Sequence, residues 1–324
     1  MYISRMTLDI SVIRSAAERI APYIKRTPLE RSDSLSKRFG TNIYVKYELF
    51  QKTGAFKARG GFNKMLQMSD AERANGVVAV SGGNHAQAVA YASSVLGVDA
   101  VILMAENTPQ SYLDATRGYG ATVVLHPTIA DAFAKVEDYE REGRVFIHPF
   151  DDADVMAGQG TIGLEILEDL PETTDIILSI GGGGLAGGVA VAVKAINPNM
   201  KVWGVETVGA DAMSQAIDAG QPVTLPAITS IAKTLGAPFV SEMTLDLVKE
   251  HFESVTVVSD SDAVREMLYV AERLKVITEP AASVTVAAAE VLGSNFDVNS
   301  HVVLIFCGGN TSVKDICGYI SSGV

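Results

Sequence analysis

Apolar residues along this chain gather in short unbroken runs, separated by longer stretches in which apolar and polar positions alternate with helical spacing. The runs are NIYVKYEL (42–49), VVAVS (77–81), AVILM (100–104), TVVL (122–125), RVFI (144–147), DIILSI (175–180), KVWGVE (201–206), SVTVVS (254–259) and HVVLIF (301–306). Continuous apolar runs of this length predict strands buried on both faces, as in parallel sheets. Between them, stretches such as NHAQAVAYASSVL and TIGLEILEDL repeat their apolar positions with the period of a helix. Strand and helix alternate almost from end to end, which predicts an α/β fold of mostly parallel, twisted sheets flanked by helices.

The ends of three predicted strands share one grammar. In VAVS-GGN-HAQ, LSI-GGGG-LAGG and LIF-CGG-NTS, an apolar strand runs into a glycine turn and then a helix. Ligands of open α/β sheets bind outside the carboxyl ends of the strands, so three such turns point to one site fed by several loops. No low-complexity segment, fixed-period repeat or linker-like break in composition interrupts the pattern.

Composition narrows the class of partner. The 324 residues are 48% hydrophobic and 20% charged, an ordinary globular balance, and the length suits two domains or one large one. A formal net charge of −12 argues against nucleic acid as a main partner, because phosphate backbones are bound by basic surfaces. The two cysteines, Cys307 and Cys317, have neither a disulfide framework nor zinc spacing. Residues 1–30 carry charges throughout, and no signal-type or membrane-spanning run is read there. The expectation is a cytoplasmic protein.

Three stretches carry candidate chemistry. In DIILSIGGGGLAGG, the consecutive glycines Gly181, Gly182, Gly183 and Gly184 let successive N–H groups point into one concavity at a helix start, which makes a phosphate cradle. No Lys-Ser/Thr follows, so it is not a Walker A loop, and the spacing differs from G-x-G-x-x-G. In QKTGAFKARGG, Lys57 is either a solvated helix cation or an amine held in a desolvated pocket, where it turns nucleophilic and able to form a Schiff base. In SGGNHAQAVAYA, Ser81 and Asn84 stand where a strand ends and a helix begins, suited to hold a carboxylate. Asn84 as a simple helix cap is the plain alternative. His85 alone reads as an ordinary helix histidine.

Taken together, KYELFQKTGAFKARGGFNK, SGGNHAQAVAYA, HPFDDADVMAGQGTIGLEI, SIGGGGLAGG, ITEPAAS and CGGN resemble the fold-type II pyridoxal-phosphate enzymes, nearest to the serine/threonine dehydratases and the related serine racemases. The resemblance runs through nearly the whole chain in order. It implies a two-domain architecture like the tryptophan synthase β subunit, with residues 1–50 and 148–324 as the large domain and 51–147 as a small inserted one. It implies pyridoxal 5'-phosphate held by Lys57, Phe56 against its ring, Asn84 on its 3-hydroxyl, and Gly181 to Gly184 on its phosphate. It further implies that Ser81, Gly82, Asn84 and His85 receive the substrate carboxylate and that Cys307 faces the pyridine nitrogen. A neutral thiol there makes the ring a weaker electron sink than a carboxylate would, which suits elimination.

Departures from the family pattern refine the expectation. Gly82 stands where the racemases carry an acidic serine hydroxyl, and Phe133 where they carry an arginine. Both favour elimination from a substrate with an uncharged side chain, L-serine or L-threonine, over racemisation or 3-hydroxyaspartate. In VWGVETVGADAM, Glu206 and Ala210 match the family's cation site while Ala212 replaces its aspartate, so a monovalent ion such as potassium is expected before magnesium. The chain runs only to residue 324 after CGGN, so no C-terminal regulatory domain is expected, and the family implies a homodimer. The alternatives are a relative acting on another 3-hydroxy amino acid such as an aryl-serine or hydroxyaspartate, a serine racemase, a β-replacing enzyme, or a non-catalytic phosphate- or nucleotide-binding protein.

Overall fold

The computed structural model describes residues 8–324. Its strands are β1 (Leu29–Arg31), β2 (Asn42–Lys46), β3 (Val77–Val80), β4 (Ala100–Ala105), β5 (Thr122–His126), β6 (Val145–Phe146), β7 (Asp175–Ser179), β8 (Lys201–Thr207), β9 (Ser254–Val258) and β10 (His301–Ile305). They form a six-stranded sheet ordered β1-β2-β10-β7-β8-β9 and a four-stranded sheet ordered β5-β4-β3-β6. Every pairing is parallel except β1 with β2, where Glu30 faces Val45. The central strands β3, β4 and β7 are buried at every position, as their unbroken apolar runs require.

Each of the nine predicted runs contains a strand. β1 was not predicted: LER is a three-residue edge strand with two exposed positions and no apolar run to betray it. The run at 42–49 ends early, at Lys46, because Tyr47 leaves the extended region and Glu48–Phe50 turns as a 3-10 helix. That turn brings the Glu48 carboxylate to the buried guanidinium of Arg59, a demand no local pattern displays.

Two large apolar cores lie under the two sheets. One gathers residues such as Ile176, Val202, Val303 and Phe306, the other Phe62, Val89, Ile102 and Met104. Ile20 and Val155, from segments flanking the smaller sheet in sequence, join the second core. Three helices meet between the cores: Lys57–Leu66, Ala153–Asp169 and Gly184–Ile196. They approach backbone to backbone. A Cβ on Gly158 would lie 2.6 Å from the Arg59 carbonyl oxygen, and one on Gly188 2.2 Å from that of Met156. Among the described residues no helix is long and apolar enough to cross a membrane.

All three glycine turns lie at the carboxyl ends of strands: Gly82 after β3, Gly181–Gly184 after β7, and Gly308 after β10. The amino ends of β7, β8 and β10 are lined by Thr174, Lys201 and Ser300, a shallow polar hollow that none of the candidate residues reaches.

Candidate active site

Lys57 opens the helix Lys57–Leu66, with Phe56 before it. The Phe56 N–H donates to the Cys307 carbonyl at 3.0 Å, so the start of this helix is stitched to the end of β10. The Lys57 Nζ donates to the Pro149 carbonyl at 2.6 Å and lies 5.1 Å from the centre of the Phe56 ring. Burial pulls its pKa from 10.5 down to about 8, against a smaller upward push from Cys307, and no carboxylate enters the balance. A lysine without an acidic partner and with a lowered pKa is a nucleophile rather than a surface cation.

Two residues further on, Arg59 is fully buried and anchors the helix. Its guanidinium donates to Glu48 at 2.8 and 2.9 Å and to Glu165 at 2.7 and 2.9 Å. Lys46, also fully buried, donates to Glu165 at 2.6 Å and to the Thr27 carbonyl at 2.8 Å. Two cations and two carboxylates from three segments of the chain thus balance in formal charge. The network binds the Lys57 helix to β2 and to Ala153–Asp169, and was not read from the sequence. Its signal there was isolated charges, Lys46, Glu48, Arg59 and Glu165, inside otherwise apolar stretches.

The glycine loop is shaped as a cradle. Gly183 takes φ +94°, and side chains on the loop have nowhere to go. An added Cβ would lie 2.1 Å from the Phe150 ring at Gly182, 2.6 Å from Thr244 at Gly183 and 2.9 Å from the Phe150 backbone at Gly184. Several helices elsewhere begin on capping side chains, among them Asp9, Ser32, Asp152 and Ser259. Gly184–Ile196 and Asn84–Leu96 both begin after a glycine with no side-chain cap, leaving first-turn N–H groups for an anion. Asn84 is therefore not a simple cap.

Around Asn84 the predicted carboxylate loop divides. Ser81 Oγ accepts the Gly83 N–H at 3.1 Å and shapes the turn. Gly82 faces Thr108, whose Oγ1 would lie 2.8 Å from a Cβ at this position. The His85 side chain turns away: its Nε2 bonds the Ile147 carbonyl at 2.8 Å, and burial first, then nearby Lys57, lowers its pKa to about 3. It stays neutral and can serve the loop only through its backbone.

Asn84 itself donates to both oxygens of Glu279, at 2.9 and 3.1 Å, and accepts from Asn310 Nδ2 at 2.8 Å. Glu279 and Asn310 lie in ITEPAAS and CGGN, yet sequence reasoning gave them no role. Glu279 is buried without a cationic partner, and desolvation pushes its pKa up to about 7 against the hydrogen bonds of Asn84 and Thr234. Cys307 lies between Ser179 Oγ at 3.4 Å and Glu279 at 3.9 Å, and burial raises its pKa, keeping the thiol protonated.

Beside Lys57, the HPF turn carries an aromatic wall. His148 accepts the backbone N–H groups of Phe150 and Asp151 at 3.2 and 2.8 Å, and burial holds its pKa down near 4. Its ring packs 4.7 Å from Phe150, which packs 5.5 Å from Phe239. Phe133 reaches the same group, 6.0 Å from Phe239. Phe133 thus stands in an uncharged wall.

The candidate cation residues lie elsewhere, at the end of β8. Glu206 accepts the N–H groups of Met213 and Ser214 at 2.9 and 2.8 Å and so caps the helix Ala212–Ala219. Burial raises its pKa to about 7 despite these bonds. The Ala210 N–H closes a turn on the Thr207 carbonyl at 2.9 Å. Among the described residues no group of three or more His, Cys, Asp or Glu could hold a metal ion.

The donor set fits pyridoxal phosphate: a glycine cradle a Cβ would fill, a desolvated amine, and a neutral thiol beside an amide. The chain is 39% identical to the catabolic L-threonine dehydratase of Escherichia coli, over 98% of this chain and 99% of that protein. It is 38% identical to a serine racemase of Oryza sativa subsp. indica, over 94% of this chain and 91% of that one. The structure of maize serine racemase superposes with a TM-score of 0.90 at 36% identity, covering 97% of both chains. The family of pyridoxal-phosphate dependent enzymes matches residues 20–308, a span that holds Lys57, the glycine cradle and Cys307 alike, and the chain belongs to that family.

Proposed function

We propose that the protein is a pyridoxal-phosphate-dependent ammonia-lyase that eliminates water from a small 3-hydroxy amino acid, L-threonine or L-serine; hydrolysis of the released enamine takes up a water again, so the net products are ammonia and a 2-oxo acid. The observation that carries this reading is Lys57, an amine with no acidic partner and a pKa near 8, set against the Pro149 carbonyl. Bound through Lys57, the cofactor supplies the electron sink that weakens the bonds at the substrate Cα. The amine of Lys57 is poised to take the Cα proton and hold it, since its pKa lies near working pH. The N–H groups at the starts of Gly184–Ile196 and Asn84–Leu96 bind the phosphate and the substrate carboxylate. The protonated Cys307 keeps the sink weak, which suits a leaving hydroxyl. The wall of Phe133, Phe150 and Phe239 is uncharged and offers a second substrate carboxylate no partner. We place residues 8–50 and 148–324 in a large domain and 51–147 in a small one, residues 1–7 lying outside the described residues, and expect a homodimer.

The test is release of 2-oxo acid from a panel of L- and D-serine, L-threonine, 3-hydroxyaspartate and aryl-serines. Turnover of L-threonine or L-serine, lost in Lys57→Ala, is expected; a protein that takes up no cofactor, or that prefers 3-hydroxyaspartate, overturns the reading. One observation favours racemisation as a second activity: the Thr108 hydroxyl stands beside Gly82. D-serine formed from L-serine and abolished in Thr108→Val would establish it.

A further inference from the structure

The amide of Asn84 belongs to a hydrogen-bond chain whose direction is set at its far end. Asn310 Nδ2 donates to the Thr53 carbonyl oxygen at 2.8 Å and to Asn84 Oδ1 at 2.8 Å. A backbone carbonyl can only accept, so the nitrogen of Asn310 must face Thr53, and both of its hydrogens are committed. The oxygen of Asn84 is thereby turned toward Asn310. Its nitrogen faces Glu279, which also accepts from Thr234 Oγ1 at 3.0 Å. The hydrogens of one amide nitrogen diverge, so the two oxygens of one carboxylate share one and leave the other free. The turn that aims the Thr53 carbonyl is unusual, with Thr53 at φ 62° and Gly54 at φ 72°. A Cβ on Gly54 would lie 2.6 Å from Asn310 Oδ1, so the turn and Asn310 are fitted to each other.

We propose that Asn310 and Glu279 are positioning residues that lock the polarity of the Asn84 amide, so that Asn84 meets the cofactor ring as a hydrogen-bond donor and never as an acceptor. The inference rests on the proposed function and on the family resemblance, which implies that Asn84 faces the ring hydroxyl of the cofactor. That oxygen, once ionised, is stabilised by a donor and repelled by a carbonyl oxygen. Thr53 and Asn84 belong to segments before and within the smaller sheet, Glu279 and Asn310 to the segments flanking β10, so the lock also ties segments of the two sheets together.

The experiment titrates apoenzyme with pyridoxal phosphate at about pH 8, where an introduced aspartate is ionised, and measures the melting temperature of each apoprotein. In Asn310→Asp, the new carboxylate can only accept, so Asn84 must flip. Cofactor affinity should fall about tenfold or more, the equivalent of a lost hydrogen bond. In Glu279→Gln, Asn310 still sets the polarity, and affinity should change by less than about threefold. In the double variant, the amide introduced at position 279 can donate to the flipped Asn84. Melting should recover toward wild type while affinity stays low, a split that a merely structural role would not produce. Wild-type affinity in N310D, or affinity recovering with stability in the double variant, overturns the lock. If N310D does not fold, the double variant decides alone. Failure of the wild-type apoenzyme to bind the cofactor would instead overturn the proposed function itself.

Discussion

Replacing Gly182 by alanine tests the cradle at its tightest point. The new Cβ would stand 2.1 Å from Phe150 Cδ1, 2.2 Å from Cγ and 2.5 Å from Cε1, where ordinary contact begins at 3.4 Å. Ring or loop must therefore move by roughly 1.3 Å, the gap between those contact distances. Phe150 is only 5% exposed and is wedged between His148 and Phe239, so the ring has little room. Overpacking of this kind costs about 1–3 kcal/mol. If the loop yields, the cost appears as roughly 5- to 150-fold weaker cofactor binding, at about 1.4 kcal/mol per decade. If the loop holds, it appears in apoenzyme stability instead. Cofactor titration and thermal melting of the same apoprotein capture both. Gly182→Ala with Phe150→Leu should regain part of the loss, because the shorter side chain vacates the contact. Wild-type affinity and melting in the single variant, or losses that simply add in the pair, would refute the steric argument.

Arg59→Met should lower stability by about 3–5 kcal/mol, because Glu48 and Glu165 lose their guanidinium while buried; an unfolding free energy from urea titration lowered by less than about 1 kcal/mol would show the carboxylates are otherwise compensated. The rate at which Lys57 captures pyridoxal phosphate should rise with pH through about 8, since only the free amine attacks. Stopped-flow absorbance checks this, and a midpoint near the ordinary 10.5 would mean the amine is solvated. His85 and His148 have folded pKa values of about 3 and 4 against 6.5 unfolded. The unfolded chain therefore takes up protons that the fold refuses, and stability should fall as pH drops below 6.5. The loss is about 1.4 kcal/mol per pH unit for each histidine. Melting between pH 6.5 and 4 should therefore fall less steeply in His148→Asn, and an unchanged slope would show that the fold does not hold His148 neutral.

Much of the fold was legible because its signals are local. Unbroken apolar runs mark buried parallel strands, and glycine clusters directly after them mark turns that approach a ligand, so β3, β7, β10 and the cradle at Gly181–Gly184 follow from neighbouring residues. β1 escaped because an edge strand of three residues needs no apolar run. The end of β2 at Lys46 escaped because the chain turns there to deliver Glu48 to Arg59.

By itself the sequence determined the alternation of elements, the place of the turns and the candidates for nucleophile, cradle and thiol. Tertiary structure alone decided what state those groups are in. Glu279 reaches Asn84 across 195 residues, Asn310 across 226, and Glu165 reaches Arg59 across 106. Desolvation and hydrogen-bond direction are properties of everything packed around a group, whatever its distance along the chain. Lys57 is a base with a pKa near 8 only because β10, the Pro149 turn and its own helix close around it.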